Sequence, residues 1–184
     1  MRTLIAALSL GIAASAFGQA PSGTRPSDTL NVSIVLIRAD NSGRTDPALG
    51  GLDSTLRGVL RFTGYRGVGF GSSLAYQGKT FDVTFIAPDN QQPTDPQHIA
   101  FSKRLRVFCK VERLNNDTNP TTAQLRVTLS RVDSATNRPV GPDIIAAGVT
   151  IPEDHVVVIG GGTYGETALA LTVRWRKGSF SKKG

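Results

Sequence analysis

The part of the sequence that most suggests chemistry is a run of glycines after four apolar residues. Gly160, Gly162 and Gly165 have the spacing G-x-G-x-x-G, directly after the apolar residues 156–159. In dinucleotide-binding proteins such glycines let a pyrophosphate approach a helix N-terminus, and an acidic residue about 20 positions later binds the ribose. No Asp or Glu follows Glu166 here. We therefore interpret the glycines as a hairpin loop and predict no cofactor.

A second glycine-rich stretch, residues 66–71, partly matches the RNP1 pattern of RNA-binding domains. That motif needs aromatic side chains on which bases stack. Val68 and Ser73 stand at two of the three aromatic positions. The stretch is thus interpreted as a connection that follows a helix, and we predict no nucleic-acid partner.

Hydrolysis would require a nucleophile, a base and an orienting acid. The only imidazoles are His98 and His155, and Asp154 beside His155 follows Pro152 and Glu153 in what reads as a turn. Two histidines in separate turns do not make a zinc site. The single thiol, Cys109, alternates with charged residues, which places it on the apolar face of a strand. We predict no catalytic residue and no metal site, and the chain is interpreted as a non-enzyme.

The two ends of the chain differ from its body in composition. Residues 1–20 have one early arginine, an apolar run and small residues near positions 16–20, which is typical of a signal peptide cleaved near 18–20. Residues 21–29 are rich in Pro, Ser, Gly and Thr and are interpreted as a flexible lead-in. Residues 177–184 are interpreted as a basic disordered tail.

The elements between these ends are predominantly strands. Leu30, Val32, Ile34 and Leu36 alternate with polar residues and begin a strand that is apolar on both faces in its second half, which predicts a central strand. Asp46 and Pro47 are placed to start an amphipathic helix over about 47–62. The later apolar alternations predict an α+β, mainly β domain over 30–176. We expect the helix to pack on an antiparallel or mixed sheet of about seven strands.

One segment is similar to a known family. Residues 146–161, read as AAGVTIPEDHVVVIGG, and residues 168–173, read as ALALTV, resemble the strand–turn–strand block of bacterial secretins, the outer-membrane proteins of secretion and pilus systems. The resemblance implies an envelope context and at most a periplasmic or accessory relative. His155 stands where the family usually has glycine, and the family's longer gate and barrel region is absent.

These observations predict an exported, non-catalytic domain, periplasmic or secreted. Its predicted partner is another envelope or surface protein, or a second copy of the chain, within a secretion or pilus-type assembly. We expect the last strand to lie at a sheet edge and to add to a partner's sheet. The predicted interaction residues are Thr167, Leu169, Leu171, Val173, Arg174, Trp175, Arg176 and Lys177.

Two other functions remain open on the sequence alone. One is a secreted hydrolase with a site formed by Asp154, His155, Tyr164 and Glu166. The other is a carrier of an apolar ligand, held in a cavity lined by Leu74, Phe81 and Phe85. Gathering of either set around one pocket would favour that function.

Overall fold

The computed structural model describes residues 29–87, 104–165 and 167–178, and these form two antiparallel sheets of four strands each. The mainly β class is confirmed, but there are eight strands in two sheets instead of about seven in one. The strands are β1 (Thr29–Asp40), β2 (Gly64–Tyr76), β3 (Thr80–Ile86), β4 (Arg104–Asn115), β5 (Thr122–Val132), β6 (Ile145–Pro152), β7 (Val156–Tyr164) and β8 (Thr167–Lys177).

The strand order follows the chain around the molecule. Sheet A has the order β2-β1-β8-β7, and sheet B has the order β3-β4-β5-β6. The chain passes from sheet A to sheet B between β2 and β3 and returns between β6 and β7. Since β8 pairs with β1, the strands form a ring that is interrupted at these two corners. The prediction that β1 is a central strand is confirmed.

The core lies between the two sheets and is built by alternate residues of each strand. Leu30, Val32, Ile34 and Leu36 of β1 face Leu105, Val107, Cys109 and Val111 of β4 within one buried cluster. Trp175 of β8 is fully buried in the same cluster. Its indole Nε1 donates a 2.8 Å hydrogen bond to the Ile151 carbonyl, which ties sheet A to sheet B.

The helical segment covers part of the outer surface of sheet A. Asp46 caps it through a side-chain hydrogen bond from the Ala48 amide, as predicted. A 3₁₀ helix spans Pro47–Leu52 and an α-helix, α1, spans Asp53–Val59, so the helix is shorter than the predicted 47–62. Leu56 is fully buried against the outer side of β1 and β8. A second, smaller core therefore lies outside sheet A.

The prediction that residues 66–71 are a connection is wrong, because they lie in the middle of β2. Glycine is disfavoured in strands, which hides such a strand from propensity. The structure shows why glycine is required there: a Cβ at Gly69 would overlap the Phe85 ring, and one at Gly71 would overlap Val83. The two glycines let β2 and β3 approach closely at their corner.

The prediction that Gly160, Gly162 and Gly165 form a hairpin loop is confirmed for Gly165 and wrong for the other two glycines. These residues continue β7, with a bulge between Gly160 and Gly162 where Gly161 takes a φ of +101°. The chain then turns near Gly165 and returns as β8, antiparallel to β7. The strand continues where a dinucleotide site would require a helix N-terminus.

Several predictions fall outside the described residues: the leader (1–20), the lead-in up to residue 28, the tail from residue 179, His98 and the side chain of Glu166. Lys177, the first residue of the predicted tail, is the last residue of β8. Over the three described ranges, no helix is long and apolar enough to cross a membrane.

Candidate interaction surfaces

Half of the predicted interaction residues lie inside the molecule. β8 is placed between β1 and β7, so the expectation of an edge strand is wrong. Leu169, Leu171, Val173 and Trp175 are at most 1% exposed. They build the core and cannot contact a partner, which leaves Thr167, Arg174, Arg176 and Lys177 nearer the surface.

The basic residues of β8 converge on the turn between β6 and β7. Arg174 donates a 3.0 Å hydrogen bond to the Asp154 carboxylate, and Arg176 donates another to the same oxygen. The Lys177 ammonium lies 3.8 Å from Glu153. The pKa of Asp154 lies below its usual value, chiefly because Arg176 bonds to the ionised carboxylate. These ion pairs fix the turn to the end of β8.

The residues of the hydrolase alternative are not gathered in one place. His155 is exposed, and its Nδ1 lies 2.9 Å from the Glu153 carbonyl. The Asp154 carboxylate is engaged by the two arginines and is not bonded to His155. Tyr164 lies at the other end of β7, about 27 Å from Val156 at the usual rise per residue of a strand.

The residues of the carrier alternative are likewise separated. Phe85 is buried between the sheets, and Phe81 and Val83 pack against the same core. Leu74 is paired with Asn31 on the opposite, outer side of sheet A and is 52% exposed. The three side chains do not line a common cavity.

The outer surface of sheet A extends beyond the helical segment, and we call this part face A; of its residues Phe70 and Leu74 are exposed, whereas Thr172 is buried. Beside the helix, Phe70, Val35, Thr172 and Val158 form a row of directly paired residues across all four strands. Phe70 is 67% exposed. Further from the helix, the surface is formed by Ser72, Ser33, Arg174, Val156, Leu74, Asn31 and Arg176.

Sequence reasoning missed Phe70 and Leu74 as surface residues because it assigned no strand to most of β2. A signal was nevertheless present. Phe70, Leu74 and Tyr76 lie on one face, and Gly69, Gly71, Ser73 and Ala75 lie on the other. The large residues recur at even spacings, as the two-residue period of a strand requires.

The outer surface of sheet B, which we call face B, carries charges in place of exposed aromatic and aliphatic side chains along most of its length. Its cations are Arg104, Arg106, Lys110, Arg113 and Arg126, and its acidic residues are Asp82 and Glu112. Arg106 lies over the Phe108 ring at 5.3 Å and 3.3 Å from Asp82. Arg126 bonds to Glu112 at 2.8 Å.

The thiol and the metal-binding groups offer no further site in the described part of the chain. Cys109 is fully buried, and burial raises the pKa of its thiol to about 12, so the thiolate that would be needed for reaction does not form at neutral pH. Among residues 29–87, 104–165 and 167–178, no three His, Cys, Asp or Glu side chains are grouped as metal ligands would be.

Comparison with known proteins found no matching family model, no similar curated protein and no similar solved structure.

Proposed function

We propose that this chain is an exported, non-catalytic domain that binds another protein of the cell envelope, in a secretion or pilus-type assembly, through face A. The observation that carries the proposal is the exposure of Phe70 and Leu74 on the same side of β2. The leader-like residues 1–20 and the secretin-like segment at 146–161 support the envelope location.

The shape of face A suits a protein partner. It is four strands wide and about six residues long, which gives about 19 Å by about 20 Å, or about 400 Å². A standard interface buries about 800 Å² on each partner, so the partner must also contact surface outside face A. Val59 of α1, which is 55% exposed, offers further apolar area on the helix.

The chemistry of face A is typical of a protein interface. Exposed Phe70 and Leu74 supply apolar area, whereas Ser33, Ser72 and Asn31 supply short polar groups between them. Arg174 and Arg176, on the inner strand β8, add two cations to the face and share Asp154 as their acceptor. Apolar side chains beside polar and arginine side chains are common in binding surfaces.

The experiment compares two pairs of exposed apolar residues. Phe70→Thr with Leu74→Thr alters face A, and Ile86→Thr with Val140→Thr removes exposed side chains elsewhere. Envelope proteins captured by the purified protein are identified, and the leading one is purified and titrated by calorimetry. We expect the face A variant to weaken this binding at least tenfold and the control pair to leave it unchanged.

Equal weakening by both pairs, or undiminished binding by the face A variant, would overturn the assignment of face A. A self-association of the protein that is lost in the face A variant alone would instead identify the partner as a second copy of this chain. Circular dichroism and thermal unfolding of each variant separate loss of binding from loss of the fold.

A further inference from the structure

We propose that face B binds an acidic polysaccharide at the end formed by Lys110, Arg113 and Arg126. This inference goes beyond the protein–protein binding assigned to face A. It concerns the opposite side of the molecule, so either proposal can fail without the other.

Charge is arranged unfavourably on the central strands of face B. Lys110 and Arg126 are directly paired residues of β4 and β5, and like charges directly opposite each other destabilise a sheet. Glu112 offsets part of this repulsion by bonding to Arg126, and the partner of Arg126 on β6 is Gly148, which adds no side chain. A ligand with negative charges would turn this repulsion into attraction.

Each of the carboxylates near Lys110 and Arg113 already pairs with another cation. Glu112 bonds to Arg126, and Asp82 lies beside Arg106. Lys110 and Arg113 make no ion pair with a carboxylate in the described part of the chain. Lys110, Arg113 and the nearby Lys79 are all exposed to solvent. This end of face B therefore has an excess of positive charge.

An open depression continues the same surface. Its volume is about 170 Å³, and it is lined by Arg113, Asn115, Thr122, Gln124 and Thr150. Gln124 is paired with Arg113 on one side and with Thr150 on the other, so one row crosses β4, β5 and β6. Amide and hydroxyl groups around one guanidinium match a ligand that carries many hydroxyls and an occasional carboxylate or sulfate.

This lining favours a polysaccharide over other polyanions. Single-stranded nucleic acids bind surfaces with several exposed aromatic rings. On face B the one aromatic residue of the central strands, Phe108, is half-buried and has the Arg106 guanidinium over its ring. An anionic membrane would favour apolar side chains beside the cations, but the exposed Ile86 lies at the other end of the face, opposite Arg104.

The test measures binding of the purified protein to alginate and heparin, a carboxylated and a sulfated polysaccharide. The site variant is Lys110→Gln with Arg113→Gln. The control is Arg44→Gln with Arg138→Gln, which removes the same charge from exposed loops. We expect the site variant to weaken binding of at least one polysaccharide about tenfold and to lower the slope of log affinity against log salt by about two.

A second variant tests recognition of hydroxyl groups without any change of charge. Thr150→Val keeps the shape of the exposed Thr150 side chain and removes its hydroxyl. We expect about threefold weaker polysaccharide binding and unchanged binding to oligo(dT) and to vesicles of phosphatidylcholine and phosphatidylglycerol.

Three results would overturn the proposal. The first is no measurable binding of either polysaccharide at low salt. The second is equal weakening by the site and control variants, which would show an effect of net charge alone. The third is tighter binding of oligo(dT) or of the anionic vesicles than of both polysaccharides, which would assign face B to another class of ligand.

Discussion

The two outer surfaces of the molecule lie on sheets of four strands each, but they differ in what covers them and in the polarity of their side chains. Sheet A is apolar on its outer side near Ile37 and Ala170, and the helical segment closes this part with Leu49 and Leu56. Sheet B has no such cover over its described length and carries charged side chains on its outer side. The comparison indicates that the outer surface of a sheet in this molecule is covered by the helix, carries charged side chains, or is available to a partner. Face A is the part that exposes Phe70 and Leu74.

The largest expected change in the free energy of unfolding comes from loosening the helical segment that covers sheet A. Leu56→Ala deletes a fully buried side chain from beneath α1 and should lower the free energy of unfolding by about 3 kcal/mol. Val59→Ala, in the same helix but 55% exposed, should change it by no more than about 0.5 kcal/mol. Urea denaturation followed by tryptophan fluorescence measures both. Equal effects would show that the helix does not protect sheet A.

A smaller effect is expected from two glycines that occupy different environments on the two sheets. Gly71→Ala places a methyl group against Val83 at the corner of sheet A and should cost about 2 kcal/mol. Gly148→Ala places one in open space on face B and should stabilise the strand by about 0.5 kcal/mol. Thermal unfolding of the two variants distinguishes close packing from exposure. A stable Gly71→Ala variant would show that the corner can open.

A still smaller effect is expected from the repulsion on face B. Lys110→Gln removes one of two opposed cations and should raise the free energy of unfolding by about 0.3 kcal/mol at low salt. The gain should disappear at about 1 M salt, where such charges are screened. Urea titrations of wild type and variant at both salt concentrations check this. A loss of stability would show that the pair is compensated by groups other than Glu112.

The smallest effect concerns the ionised carboxylate at the edge of face A. The pKa of Asp154 is lowered in the folded state, so its contribution to stability is present at neutral pH and is lost as the pH falls below its usual value of about 3.9. Asp154→Asn should therefore be less stable than wild type at pH 7, and this difference should shrink by about pH 3. Asn is a suitable replacement because, like Asp, it tolerates the φ of +65° at this position. A difference independent of pH would exclude the ion pairs as its cause.

How far sequence reasoning succeeded depended on whether the local pattern and the tertiary structure agreed. The alternation in β1 and β4, the burial of Cys109 and the Asp46 cap are local features, and all are confirmed. The helix ends early because Leu60 takes an extended conformation, which the apolar spacing up to that residue could not indicate.

The wrong predictions share one cause: they depend on contacts between residues that are far apart in the sequence. Gly71 is needed because Val83 packs against it, and Gly161 is needed because a bulge shifts the register of β7. The position of β8 in the centre of sheet A depends on its pairing with β1, which no local window contains. The same holds for the surface residues. The exposure of Phe70 follows from the position of β2 in sheet A, which the local sequence does not indicate, whereas Arg174 and Arg176 could be identified as surface cations from the sequence.

The pairing of β1 with β8 also constrains when the molecule can fold. β1 must wait for β8, which is synthesised after the other described strands. Without β8, one hydrogen-bonding edge of β1 has no partner. Contacts between such remote segments form slowly, since the intervening chain must first be ordered. A nascent chain therefore cannot complete sheet A on the ribosome until its last strand emerges.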